Sequence, residues 1–182
     1  MKLLVCLPLF LLLCGCEVLP YPRELESTLL VRVLGVDVTR EGILLTASDI
    51  PEEGGEAEVL FGAGEDFGEA VRDLKRSGEE SVALTHVTQI LVGEGSDLSS
   101  VLEAVLLNRE VGQSATVWRT VGPARELMEL VRGGAKRLTS LELNVEGLTK
   151  TTVLETLARQ EEVGTVDLPL LGVVEGVLEV VS

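Results

Sequence analysis

The chain has 182 residues and a formal net charge of −15 at neutral pH, because 30 acidic side chains outnumber 15 lysines and arginines. A field of this sign repels phosphate backbones and anionic lipid headgroups, which argues against nucleic acid as a partner and against a basic membrane-binding patch. A single histidine excludes a metal site with two imidazoles, and an aromatic content of 3% disfavours an aromatic-lined ligand cage.

The first 15 residues have the pattern of a bacterial signal peptide. Lys2 supplies the positive charge, and the apolar run at residues 3–13 is too short to cross a hydrocarbon core of about 30 Å as a helix. The leader ends in the letters LCGC, which resemble a lipobox, with cleavage before Cys16. We therefore expect Cys16 to carry acyl chains that anchor the mature chain to a membrane. The alternative is an uncleaved anchor in which the cysteines are only small apolar residues.

The next stretch, residues 16–27, contains Pro20 and Pro22 and cannot hold a helix, so we expect an extended tether. A β-branched apolar run at 28–38 and a second run at 43–47 flank a short polar segment. This arrangement predicts a β-hairpin at the start of the folded domain.

Four helices are predicted from apolar residues that recur with a helical period. One covers residues 65–76, and another begins at Asp97, a good N-cap residue. The third begins at Gly122-Pro123, because a proline in the first turn lacks only an N–H that would have no partner there. The fourth is predicted at 151–162.

Four further strands are predicted at 59–63, 81–93, 114–121 and 173–181. Strands and helices alternate without an internal repeat, which predicts an α/β (α+β) fold in which a mixed β-sheet packs against amphipathic helices. The length suits one compact domain or at most two small ones, and we place a single domain at residues 28–182.

His86 is the only histidine, and it would be the base of any Ser-His-Asp triad in this chain. It would need Ser81 or Ser48 with Asp97, but neither serine lies in the sharp turn that exposes a nucleophile. The preferred interpretation is a partly buried strand histidine, bonded to backbone.

Two other segments have a chemical and a structural interpretation. The glycines at 62–68 suggest a phosphate-binding loop, but Glu65 and Asp66 occupy the positive helix end where a phosphate would sit, which favours a simple strand-to-helix turn. The acidic loop at 51–58 lacks the regular spacing of a calcium loop, which favours a solvated acidic surface. We therefore predict no metal and no cofactor.

The last predicted strand, 173–181, is apolar except for Glu175 and Glu179, and such a strand invites pairing. We predict that it adds to the sheet edge of a partner subunit. Trp118 lies on the more polar side of its strand, where it either anchors an interface or is covered by a neighbouring helix. The predicted partner-contact residues are Trp118, Val173, Val177 and Val181.

Several short motifs occur in the order found in one protein family. They are Arg23-Glu24-Leu25-Glu26, Gly35-Val36-Asp37, residues 69–74 (EAVRDL), His86 with Ile90-Leu91-Val92-Gly93-Glu94, Asn108-Arg109-Glu110-Val111, and Gly122-Pro123-Ala124. With the lipobox, they resemble the Ger(x)C family, the lipoprotein C subunits of spore germinant receptors. The family's Trp-Asp pair after the lipidated cysteine is absent. Members usually continue into a second half of similar size, so we expect this chain to correspond to the N-terminal domain alone.

The resemblance implies a non-enzymatic subunit, lipid-anchored on the outer face of the spore inner membrane. Such a subunit would support receptor assembly and spore germination together with A-type and B-type membrane subunits. A solute-binding or other extracytoplasmic lipoprotein unrelated to germination is the alternative, and it would need a sizeable concave pocket. A small hydrolase is disfavoured by the single histidine.

Overall fold

The computed structural model describes residues 28–49, 57–132, 137–138 and 150–181. The predicted signal peptide, Cys16, the tether and most of the acidic loop lie outside the described residues. The predictions made for them therefore stay predictions.

The described residues form nine strands and four helices. In chain order these are β1 (Thr28–Leu30), β2 (Val33–Thr39), β3 (Gly42–Ser48), β4 (Val59–Gly64), α1 (Phe67–Ser77), β5 (Ser81–Ala83), β6 (Gln89–Val92), α2 (Leu98–Leu107), β7 (Thr116–Thr120), α3 (Ala124–Leu130), α4 (Val153–Val163), β8 (Leu170–Val174) and β9 (Val177–Val181).

Seven strands form one mixed sheet in the spatial order β4-β3-β2-β6-β7-β8-β9. Strands β2, β6, β7 and β8 run parallel through the middle of the sheet, and antiparallel ladders complete its two ends. Strands β1 and β5 form a separate parallel pair. This arrangement confirms the predicted mixed α+β fold.

Helices cover both faces of the large sheet, because successive strand residues point to opposite sides. The larger core lies between the sheet and α1, α2 and α4, and it includes Leu34, Ile90 and Val117. The smaller core lies under α3 and includes Trp118 and Met128, both fully buried. Central strands with both faces covered are typical of the parallel part of a sheet.

Three of the four described helices begin at a side chain that accepts a hydrogen bond from the first turn: Asp66, Asp97 and Thr152. At α4, Glu155 completes a capping box, and the Thr152 N–H that donates to its carboxylate lowers the pKa of Glu155. Helix α3 begins after Pro123, which offers no side-chain cap. Its first N–H groups must therefore find acceptors elsewhere.

Two predicted strands are each divided in two by the structure. The run at 28–38 breaks after β1, and the run at 81–93 breaks at a turn that contains His86. Both breaks occur where the chain passes from the small parallel pair into the large sheet, and the N–H groups of Thr88 and Gln89 donate to the carbonyl of Arg32 there. The residues that end these strands remain apolar or β-branched, so local propensity gave no signal.

The predicted final strand at 173–181 is wrong as a single strand, because the structure has β8 and β9 as a hairpin. Glu175 and Gly176 form its two-residue turn with φ values of 52° and 81°. Positive φ values at both central residues define a type I′ turn, whose twist matches that of the two paired strands.

Replacing Glu175 by asparagine tests this turn. A left-handed φ disfavours most side chains, whereas asparagine tolerates it, so Glu175→Asn should raise the free energy of unfolding by up to about 1 kcal/mol. Urea unfolding of the purified chain measures the change. Glu179→Asn, in the extended backbone of β9, is the matched control and should not stabilise. An unchanged or lower midpoint for Glu175→Asn would contradict the turn.

Candidate functional site

Trp118 is fully buried, and its indole N–H donates to Gln89 Oε1 at 2.6 Å. It packs with Ala124, Leu127 and Met128 of α3. The structure therefore agrees with the second of its two sequence interpretations, a tryptophan covered by a neighbouring helix. A contact with a partner would require α3 to move.

The three predicted contact valines do not share one face. Val173 pairs with Leu178 and lies partly buried on the α3 side of the sheet. Val177 and Val181 belong to the opposite face, because they alternate with Leu178 along the hairpin. Only Val177 is strongly exposed, at 47%.

His86 is exposed in a turn, which corrects the prediction of a partly buried strand histidine. Asp97 lies beyond the opposite end of β6, where its carboxylate accepts hydrogen bonds from the hydroxyl and N–H of Ser100. Both hydrogen bonds lower the pKa of Asp97, and the bond from the Ser100 hydroxyl has the larger effect. His86 and Asp97, the base and the acid considered for a triad, are thus separated by the length of β6.

The glycine segment at residues 62–68 joins the end of β4 to the start of α1 and contains the strand-to-helix turn that the sequence favoured. A Cβ on Gly62 or Gly64 would overlap the backbone of α1. The carboxylate of Asp66 accepts a hydrogen bond from the N–H of Glu69 at 2.8 Å. This carboxylate therefore occupies the place at the start of α1 where a bound phosphate would lie.

A group of polar contacts forms at the carboxyl ends of β2, β6 and β7, which meet at one edge because these strands are parallel. We call it the strand-end cluster, and its members are Asp37, Gly93, Glu94, Gly122 and Ala124. Three of the motifs that carried the family resemblance end at this cluster.

Asp37 caps helix α3 from a distant point in the sequence. Its Oδ1 accepts from the N–H of Ala124 at 2.7 Å, and its Oδ2 accepts from the N–H of Arg125 at 2.9 Å. The carboxylate is buried, with 6% of the residue exposed. Asp37 thus supplies the acceptor that Pro123 cannot, and it places a negative charge at the positive end of the helix.

Two glycines allow this approach. A Cβ on Gly93 would overlap Asp37 Oδ1, so any side chain at that position would displace the carboxylate. A Cβ on Gly35 would come within 2.7 Å of Met128 Sδ and 3.2 Å of Ala124 Cβ. Helix α3 therefore rests on bare strand backbone at this point.

Glu94 fixes the loop that leads into α3. Its Oε2 accepts from the N–H of Gly122 at 2.9 Å, and its own N–H donates to the carbonyl of Gly122 at 3.0 Å. The hydroxyl of Thr120 donates to the same carbonyl at 2.7 Å. Gly122 has a φ of 79°, which favours glycine in this tight connection.

Both acidic groups of the strand-end cluster thus bind backbone N–H groups of their own chain. An anionic ligand at the start of α3 would be repelled by the Asp37 carboxylate. In the described part of the chain, no group of three or more histidine, cysteine, aspartate or glutamate side chains could hold a metal ion. A nearby groove of about 560 Å³, between the β2–β3 turn and the start of α2, is open to solvent. The cluster is best described as a joint that fixes α3 on the sheet.

The protein family described as the spore germination protein N-terminal domain matches residues 22–164 of this chain. The chain belongs to this family. The match confirms the resemblance to the Ger(x)C family and supports a role in spore germination. It includes the whole strand-end cluster, whereas β8 and β9 follow it.

Searches of curated proteins and of solved structures found no match. Within the described ranges, none of the helices has the length and apolar character needed to cross a bilayer.

A double-mutant cycle tests the joint. Asp37→Ala should lower the free energy of unfolding by about 2–4 kcal/mol, because the buried N–H of Ala124 and the part-buried N–H of Arg125 lose their acceptor. Gly93→Ala should have a similar effect by displacing the carboxylate, and it should cost at least about 1 kcal/mol less in a chain that already carries Asp37→Ala. Urea unfolding measures all three variants.

The matched control is Asp66→Ala, which removes the exposed cap of α1. Its effect, about 1 kcal/mol, should add to that of Gly93→Ala without coupling. If the effects of Asp37→Ala and Gly93→Ala on the free energy of unfolding were fully additive, Gly93 would not be needed to make room for the Asp37 carboxylate.

Proposed function

We propose that this protein is a lipid-anchored, non-catalytic subunit of a spore germinant receptor. The observation that carries the proposal is the family match over residues 22–164. In this proposal the subunit acts by organising its membrane partners, the A-type and B-type subunits, at the extracytoplasmic face of the spore inner membrane.

The lipid anchor is supported by the sequence at Cys16 and by the charge of the chain. A net charge of −15 repels anionic headgroups, so electrostatics alone would draw the domain away from the membrane. Acyl chains on Cys16 overcome this repulsion, since each buried CH₂ contributes about 0.8 kcal/mol. Confinement to the membrane then raises the effective concentration near the receptor partners.

The non-catalytic role is supported by the way the polar groups are used. The carboxylates of Asp37 and Glu94 accept hydrogen bonds from backbone N–H groups. His86 is exposed on a turn before β6, and the strand-end cluster lies beyond the other end of that strand. Family membership also argues against an extracytoplasmic lipoprotein unrelated to germination.

Replacing Cys16 tests the anchor. Cys16→Ser should abolish labelling by a tagged fatty acid and move the chain from the detergent phase to the aqueous phase on partitioning, because no sulfur remains to be acylated. Cys14→Ser is the matched control and should leave labelling intact. A Cys16→Ser chain that is still membrane-bound would rule out the proposed anchor.

Replacing His86 tests the absence of catalysis. His86→Ala should change the germination rate of spores less than about twofold and the free energy of unfolding by less than about 0.5 kcal/mol, since the side chain is exposed. Germination is followed by the loss of spore optical density. Complete loss of germination with a normal amount of folded protein would revive the hydrolase interpretation.

A further inference from the structure

The two edges of the large sheet are treated differently. At the β4 edge, the N–H of Ala63 donates to Asp73 Oδ2 of α1 at 3.0 Å, so this outward donor already has a partner. Gly62 and Gly64 let the backbone of α1 lie directly against the strand. Helix α1 therefore packs on the face of β4, and its Asp73 occupies one outward donor of the β4 edge.

The β9 edge has no such cover among the described residues. The hairpin closes with the pair Val174 and Val177, and hydrogen-bonded pairs alternate along an antiparallel ladder. Val177, Glu179 and Val181 therefore direct their N–H and C=O groups toward β8. Those of Leu178 and Val180 point outward, where another strand could bind them.

An exposed apolar surface adjoins this edge, on the sheet face opposite α3. We call it the valine patch, and its members are Val121, Val174, Val177 and Val181. Val121, Val174 and Val177 are 54%, 44% and 47% exposed. Val121 and Val181 come together over Gly172, where a Cβ would lie 3.7 Å and 3.3 Å from their methyl groups. An element that pairs with β9 would also cover part of this patch.

The charges at this edge indicate what kind of partner fits. Glu179 lies between Val177 and Val181 on the patch face, and Glu175 lies in the adjoining turn. Among the described residues, no lysine or arginine forms an ion pair with either carboxylate. A cation directly across from Glu179 would be attracted, whereas a second acidic strand would be repelled. A second copy of this chain, with its own −15 charge, is therefore a poor occupant.

We propose that β9 accepts an extended segment of a partner protein. The segment pairs with the outward backbone groups of Leu178 and Val180, covers the valine patch with apolar side chains and places a lysine or arginine opposite Glu179. The proposal extends the receptor function proposed above, since the partner would be another receptor subunit, but its test does not depend on germination.

Two fluorescent peptides test the proposal on the full acylated chain in detergent. The first has the sequence Val-Thr-Val-Thr-Lys-Thr-Val-Thr-Val, and the second has glutamate in place of lysine. Fluorescence anisotropy should show that the lysine peptide binds about five- to tenfold more tightly, because its cation meets Glu179 and the glutamate peptide meets a like charge.

Three variants locate the binding. Glu179→Lys should reverse the preference, and Glu162→Lys at the far end of α4 is the matched control with the same charge change and an unchanged preference. Val180→Pro should weaken both peptides at least about fivefold, because it removes an outward N–H and spares the ladder to β8. Melting curves check that each variant is folded.

Amide hydrogen exchange gives a second readout that needs no variant. The lysine peptide should slow exchange at Leu178 and Val180, while Val177 and Glu179 should be protected with and without peptide. Equal affinities for the two peptides, or protection that does not alternate, would overturn the proposal. Dimerisation through β9 or binding of this edge to anionic vesicles in preference to the lysine peptide would also overturn it.

A failed peptide test would leave the receptor proposal standing, because that proposal depends on the family match and on Cys16. Conversely, if a chain without acyl groups still prefers the lysine peptide, pairing at β9 would be supported although the lipid anchor would not. The two proposals can therefore fail separately.

Discussion

The fold depends on one buried carboxylate that holds a helix which cannot cap itself. Asp37, at the end of β2, accepts the first N–H groups of α3, although 87 positions separate it from Ala124. A buried carboxylate without partners would be strongly unfavourable, and so would uncapped N–H groups in the same place. Each therefore satisfies the other, and the smaller core around Trp118 is closed because α3 is held in position.

The strand-end cluster explains why short motifs that are far apart in the sequence belong together. The carboxylate needs Gly93 beside it, the helix needs Gly35 beneath it, and the connecting loop needs Gly122 with a positive φ. These requirements are geometric, so they specify glycine at three separate points and a carboxylate at one. Three of the six widely spaced motifs behind the family resemblance therefore belong to a single joint.

Features determined by near neighbours in the chain could be predicted from the sequence, and features determined by distant ones could not. Helix periodicity and the cap at Asp97 are local, so the helices were predicted close to their observed bounds. The strand breaks near Val31 and His86 arise from a change of sheet, and the contact between Asp37 and α3 joins residues 87 positions apart in the sequence. The turn at Glu175 had a local signal, a residue followed by glycine between two valine runs, that could have been recognised.

The contrast between the two sheet edges also bears on crowding at a membrane. With the proposed anchor, the chain would meet its own copies at high effective concentration, and an open apolar edge would then promote self-association. Carboxylates at Glu175 and Glu179 make two copies repel one another at this edge while leaving the outward backbone groups of β9 available. A single charge arrangement can thus disfavour the wrong partner and favour a cationic one, which is how specificity arises from a difference of affinities.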